Sequence, residues 1–130
     1  MTRAHSVLVV DDQRPFRLAA RAVLRRMEGF ELAGEAASGQ EAIDLACSLR
    51  PELILMDINM PDMNGIEATR RITAADPDVV VILCSTYEAA DLPSGAASSG
   101  ARGYLNKEQL GADLLRQMWE ARMAGSFWAA

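Results

Sequence analysis

The feature that most restricts the fold of this chain is a set of short, wholly apolar runs, each stopped by a polar residue. Val7-Leu8-Val9-Val10, Leu53-Ile54-Leu55-Met56 and Val79-Val80-Val81-Ile82-Leu83-Cys84 show no alternation of apolar and polar residues. A strand with one wet face alternates; a strand covered on both faces does not. Glu31 to Ala36 and Arg102 to Leu105 read as two weaker strands, the first near a sheet edge. The runs recur about every 25 residues, the length of a βαβ module rather than of a solenoid repeat. The expected fold is α/β: five βα units in a doubly wound, five-stranded parallel sheet with helices on both faces.

The segments between the runs carry helix signals. Pro15 suits a first turn, and Phe16, Ala20, Val23, Leu24 and Met27 recur at helical spacing. Arg17, Arg21 and Arg25 form a stripe on that helix, read first as a solvated face and second as a partner-binding face. Ser38 with Glu41, and Asn64 with Glu67, have capping-box spacing. The helix after Ser38 carries Ile43, Leu45, Ala46 and Leu49; the one after Asn64 carries Ile66, Ala68, Ile72 and Ala75. Glu88 to Gly100 should be the fourth helix, but Pro93, Gly95 and several serines make it a poor one. The last helix is expected from about Glu108 to Met123, with Leu110, Leu114 and Met118 on one face and Leu115 and Trp119 on another. One domain is expected over residues 1–125, with 126–130 as a tail. Trp119 and Trp128 read as packing or interface residues.

Composition excludes several function classes. The net charge of −5 argues against direct nucleic-acid or anionic-membrane binding by this chain. No run approaches the roughly 18 apolar residues of a membrane span, and Met1 to Ser6 leads into too short a run for a signal peptide. The expected location is the cytoplasm, with Cys47 and Cys84 as two reduced, buried thiols. His5 is the only histidine, which leaves no basis for a histidine dyad or a zinc site. Twelve of the thirteen basic residues are arginine, so Lys107 is the only lysine.

The polar residues that stop the strands form the candidate site. They are Asp11-Asp12, Asp57, Ser85-Thr86 and Lys107. In a parallel sheet all of them meet at one rim, where ligands of such folds bind. Three carboxylates together repel one another, and a hard divalent cation offsets this best. With an ammonium and a hydroxyl beside them, the set suits phosphoryl transfer to a carboxylate nucleophile.

Asp11-Asp12, the phrase Asp57-Ile58-Asn59-Met60-Pro61-Asp62-Met63-Asn64-Gly65, Ser85, and Gly103-Tyr104-Leu105-Asn106-Lys107 together resemble the receiver domain of two-component response regulators, a CheY-like, flavodoxin-like fold. The resemblance covers essentially the whole chain. It implies that Asp57 is the phosphoacceptor. It also implies that Mg²⁺ is held by Asp11, Asp12, Asp57 and the backbone carbonyl of Asn59, with Asp12 the direct ligand and Asp11 acting partly through water. Ser85 would move onto the phosphoryl group, Thr86 and Tyr87 would border it, and Lys107 would pair with its oxygens. Tyr104 would turn inward on activation. The implied donor is a sensor histidine kinase or phosphotransfer protein. The implied output surface is the face of the fourth helix, fifth strand and fifth helix, where a target or a second receiver docks as a homodimer. Such a chain is a self-phosphorylating signalling domain rather than an enzyme turning over a metabolite.

The chain departs from the family in three places. Glu108 follows Lys107 where many receivers have proline. Tyr87 is bulky. The fourth helix is weak, and its segment is expected to be loosely ordered until phosphorylation or partner binding. The phrase Gly100 to Leu105 with Lys107 resembles receivers attached to helix-turn-helix DNA-binding domains, so a stand-alone regulator and a receiver from a longer transcription factor both fit. The main alternative is a pseudo-receiver that acts as a protein-interaction module without phosphorylation; the complete set of site residues argues against it. A haloacid-dehalogenase-like phosphatase would need Asp at the position of Asn59. A flavodoxin-like electron carrier would need a phosphate loop after the first strand.

Overall fold

The computed structural model describes residues 4–124. Its strands are β1 (His5–Val10), β2 (Phe30–Ala36), β3 (Leu53–Asp57), β4 (Val80–Ser85) and β5 (Gly103–Asn106). Its α-helices are α1 (Arg14–Arg25), α2 (Gly39–Leu49), α3 (Gly65–Ala75) and α4 (Ala112–Glu120). The strands form one parallel sheet in the order β2-β1-β3-β4-β5. The weak β2 is indeed an edge strand, and its pairing with β1 slips by one residue between Val7 and Leu8. The chain runs from β1 outward to β2, then crosses back to β3 on the other side. The direction of winding therefore reverses between the tips of β1 and β3, which opens a crevice there.

Alternate residues of each central strand feed two cores. Val7, Val9, Leu53, Leu55, Val80 and Ile82 pack beneath α1 and α4 with Ala20, Leu24, Leu115 and Met118. Leu8, Val10, Ile54, Met56, Val81 and Leu83 pack beneath α2 and α3 with Ala42, Ile66 and Ile72. All five residues of β3 and all six of β4 are buried, as runs without alternation require.

The helix starts follow local chemistry. Ser38 accepts from the Glu41 N–H at 3.1 Å, and Glu41 reaches back to the Ala37 N–H at 2.7 Å, so this capping box forms with its return bond one residue early. The one expected at Asn64 forms only in part. Asn64 accepts from the Ile66 N–H at 2.7 Å, while Glu67 turns outward to Arg70 and Arg71 at 3.1 and 3.0 Å. Those two guanidiniums hold the Glu67 carboxyl below its usual range, Arg71 more than Arg70.

Four sequence expectations need correction. Residues 88–100 form no α-helix; they make a single 3₁₀ turn, Ala89–Asp91, and further turns. The last helix begins at Ala112, because Lys107–Gln109 form a 3₁₀ turn first. Its apolar residues serve one core rather than two: Leu115, Met118 and Trp119 are buried, with Leu110 and Leu114 packed against the same cluster. Cys84 is buried as expected, and burial raises its thiol pKa, but Cys47 is exposed. Trp119 packs against His5 and Phe30, with ring centroids 4.9 and 5.8 Å away; Trp128 lies outside the described residues.

Candidate functional site

The reversal of winding places the tips of β1 and β3 side by side. Val10 pairs with Met56, so the next residue on each strand, Asp11 and Asp57, emerges at the same level. Asp57 ends β3, and Gly65 starts α3 directly against it. The Gly65 N–H donates to the Ile58 carbonyl at 2.7 Å. A Cβ on Gly65 would stand 1.9 Å from the Asp57 carbonyl oxygen, so only glycine admits this approach. Higher in the same loop, Asp62 accepts from the N–H groups of Gly39 and Gln40 at 3.0 and 3.1 Å. The first turn of α2 thus ties down the loop between β3 and α3, and these backbone donors lower the Asp62 pKa, Gly39 foremost.

Lys107 leaves the end of β5 and spans the crevice. Its Nζ is 2.6 Å from Asp11 Oδ2 and 3.1 Å from Asp57 Oδ1. Both aspartates are buried, Asp12 is exposed, and one carboxylate oxygen from each of the three lies within 4.8 Å of the others. Burial, and then the charge of Asp11, push the Asp57 pKa up to about 6; Lys107 works in the opposite direction. Burial alone would lower the Lys107 pKa, but its bonds to Asp11 and Asp57 outweigh this and raise it. The Arg17 guanidinium donates to the Asp11 carbonyl at 2.7 Å and pairs with Glu35 on β2, as does Arg21. Two of the three stripe arginines are therefore tied to the sheet rather than only solvated.

Ser85 faces a different network. Its Oγ lies 2.9 Å from the Tyr104 hydroxyl and accepts from the Tyr87 N–H at 3.1 Å. Tyr104 also donates toward the carbonyls of Ser85 and Tyr87, and Asn106 Nδ2 donates to the Tyr87 carbonyl at 3.2 Å. Tyr104 is thus already inward and buried, with burial raising its pKa. Thr86 is exposed at the rim, and Tyr87 packs against the α2 and α3 side of the core. Asn59 is exposed and lines a shallow cleft with Asp12, Ile58, Met60, Pro61 and Asn64.

The structure therefore brings together Asp11, Asp12, Asp57 and Lys107. Among the described residues no hydrogen bond joins Ser85 to Asp57. Sequence reasoning missed Arg17, Asp62 and Asn106 as groups that hold the site. Their residue types are ordinary for a helix face, a turn and a strand end, and only the fold gives them partners. It also missed Phe16, whose helical spacing marks only core packing, although its ring lies beside Lys107.

A hard divalent cation fits the donors present. Three carboxylates face one ammonium, which leaves negative charge uncompensated, and oxygen donors suit Mg²⁺. Asp11 Oδ2 is buried and accepts no well-directed hydrogen bond, although Lys107 ion-pairs with it.

Residues 7–119 match the response regulator receiver domain family. Response regulator GacA of Pseudomonas aeruginosa is 37% identical over 101 residues, covering 78% of this chain and 47% of that protein. Chemotaxis protein CheY of Thermotoga maritima is also 37% identical over 101 residues, covering 78% and 83% of the two chains. The structure of the response regulator domain of Thermotoga maritima CheB matches with a TM-score of 0.82 at 31% identity, over 93% of this chain and 98% of that one. A LuxR-family two-component response regulator from Aurantimonas matches with a TM-score of 0.82 at 30% identity, over 94% and 86%. The chain spans about half the length of curated relatives such as GacA. With its parallel sheet in the order β2-β1-β3-β4-β5 and its acids gathered at the switch point, the chain belongs to the receiver-domain family of response regulators.

Proposed function

We propose that this receiver accepts a phosphoryl group on Asp57 from a phosphohistidine of a sensor histidine kinase or phosphotransfer protein. The observation that carries this reading is the convergence of Asp11, Asp12, Asp57 and Lys107 at one strand crevice. In the reaction, an Asp57 carboxylate oxygen forms a bond to phosphorus, the phosphorus–nitrogen bond to the donor imidazole breaks, and its electron pair returns to that imidazole. Asp11, Asp12, Asp57 and the Asn59 carbonyl would hold Mg²⁺, which supplies positive charge against the phosphoryl oxygens. Lys107 supplies a second, fixed positive charge there. Thr86 and Tyr87 border the entrance, and Ser85 contributes its hydroxyl once released from Tyr104. Water later hydrolyses the acyl phosphate, so the chain acts as a timed signal rather than as a catalyst of metabolite turnover.

The output face differs from the family expectation. With no α-helix between β4 and β5 it consists of residues 86–102, β5 and α4, and a target or a second receiver docks there. The signalling unit is carried by residues 4–124, and the expected tail, 126–130, lies outside the described residues. No helix among the described residues is long and apolar enough to cross a membrane, and the proposed location is the cytoplasm. DNA contact would fall to a further domain in a longer protein.

Incubation with Mg²⁺ and a small phosphodonor, followed by intact-mass measurement, tests the proposal. The expected result is a gain of one phosphoryl group that disappears in Asp57→Ala and on chelation of the metal. No gain from a small donor or a kinase would instead support the pseudo-receiver reading.

A further inference from the structure

The Lys107 ammonium is enclosed on three sides, and only two of them are carboxylates. Asp11 Oδ2 and Asp57 Oδ1 stand 2.6 and 3.1 Å away. The third side is the ring of Phe16, whose centroid lies 4.9 Å from Nζ. An ammonium carries N–H groups on three sides and no acceptor, and its two ion pairs leave the third side to be accounted for. The Lys107 side chain is only 14% exposed. Phe16 reaches this place because α1 starts at Arg14, two residues after the acidic pair, with Pro15 and Phe16 in its first turn. Core packing alone would accept any apolar side chain of similar volume. Only an aromatic ring presents a negative face to a cation.

We propose that Phe16 is a positioning residue for Lys107. Its π face holds the ammonium between the strand tips and keeps water from it. The ammonium can then pass from Asp11 to a phosphoryl oxygen on Asp57 without swinging into solvent. This proposal rests on the reading of Asp57 as the phosphoacceptor.

Lys107 is the only lysine, so isotope-labelled lysine gives a single side-chain ammonium resonance. In Phe16→Leu, exchange of the ammonium protons with water should quicken about threefold to tenfold, a range set by the strength of cation–π contacts. Mg²⁺-dependent binding of beryllofluoride, a phosphoryl mimic, should weaken by a similar factor. Phe16→Tyr, which keeps the π face, should retain both properties. If the leucine variant does not fold, Phe16→Met is read in the same way. Exchange and affinity unchanged in the aliphatic variant would overturn the proposal. If the unaltered chain binds no beryllofluoride, the phosphoacceptor reading fails, and the exchange measurement alone decides whether Phe16 holds the ammonium.

Discussion

The connection between β3 and β4 and the one between β4 and β5 obey the same topology with opposite local chemistry. The first contains α3, an 11-residue helix with an asparagine cap and buried Ile66, Ala68 and Ile72. The second contains Pro93, Gly95, Gly100 and three serines, and its described turns close with bonds from Asp91 to Glu88, Ala96 to Pro93 and Ser99 to Ala96. Each spans three residues, the 3₁₀ pattern, and Ser99 Oγ takes over a backbone role by accepting from the Ala101 N–H. The segment buries Ala96, Ser99 and Ala101, small groups that gain little from leaving water. Thr73 on α3 anchors it by donating to the Ser99 carbonyl at 3.2 Å. A parallel crossover therefore needs only a chain long enough to return to the other end of the sheet. A helix is the usual way to satisfy that chain's backbone, but it is not required.

Matched substitutions sharpen this contrast. Gly65→Ala should be the most damaging, because the new Cβ meets backbone at 1.9 Å and neither partner can yield. A loss of about 4 kcal/mol or more in urea unfolding is expected, along with loss of phosphoryl acceptance. Asp57→Asn comes next and should stabilise the metal-free protein. Because the folded pKa is raised to about 6, Asp57 favours folding fully only below its unfolded value, and that contribution is lost as pH rises through 6. The stability difference between Asp57→Asn and the unaltered chain should therefore be near zero at acid pH and reach about 2–3 kcal/mol above pH 7. A pH-independent difference would show that the carboxylate is not strained by burial, and Mg²⁺ should shrink it. In the looser segment, Gly95→Ala places its Cβ 2.5 Å from the end of the Arg70 side chain, which can move aside. Its positive φ of 89° leaves a cost of about 1–2 kcal/mol. A cost equal to that of Gly65→Ala would erase the distinction between the two connections. Smallest in energy, amides of residues 88–100 should exchange through openings of roughly 0–3 kcal/mol, well below the strands. Protection there equal to that of β4 would break the comparison.

Much of the sheet was legible because burial on both faces leaves a plain mark: runs such as Val79 to Cys84 have no solvent face to encode. The strand ends were legible for the converse reason, since Asp11 and Asp57 have no packing role at the tips of apolar strands. The fourth helix was misjudged because strand and helix alternation suggested it more strongly than Pro93 and Gly95 opposed it. Cys47 was misjudged because apolar neighbours in sequence, Leu45 and Ala46, point in other directions on a helix. Arg17, Asp62 and Phe16 could not be assigned before folding, as each acquires its partner from a distant segment. The inward position of Tyr104 belongs to the same class, since its acceptors lie on the β4 side of the sheet edge.

The Tyr104 network has a further consequence in proton accounting. Tyr104 owns one hydroxyl proton and has carbonyl acceptors at Ser85 and Tyr87. With that proton committed to a carbonyl, the bond between the two hydroxyls must use the proton of Ser85. A phosphoryl oxygen on Asp57 could recruit that single proton only by taking it from Tyr104. Arrival of the phosphoryl group and release of the tyrosine oxygen would then be one exchange, registered in units of a whole hydrogen bond.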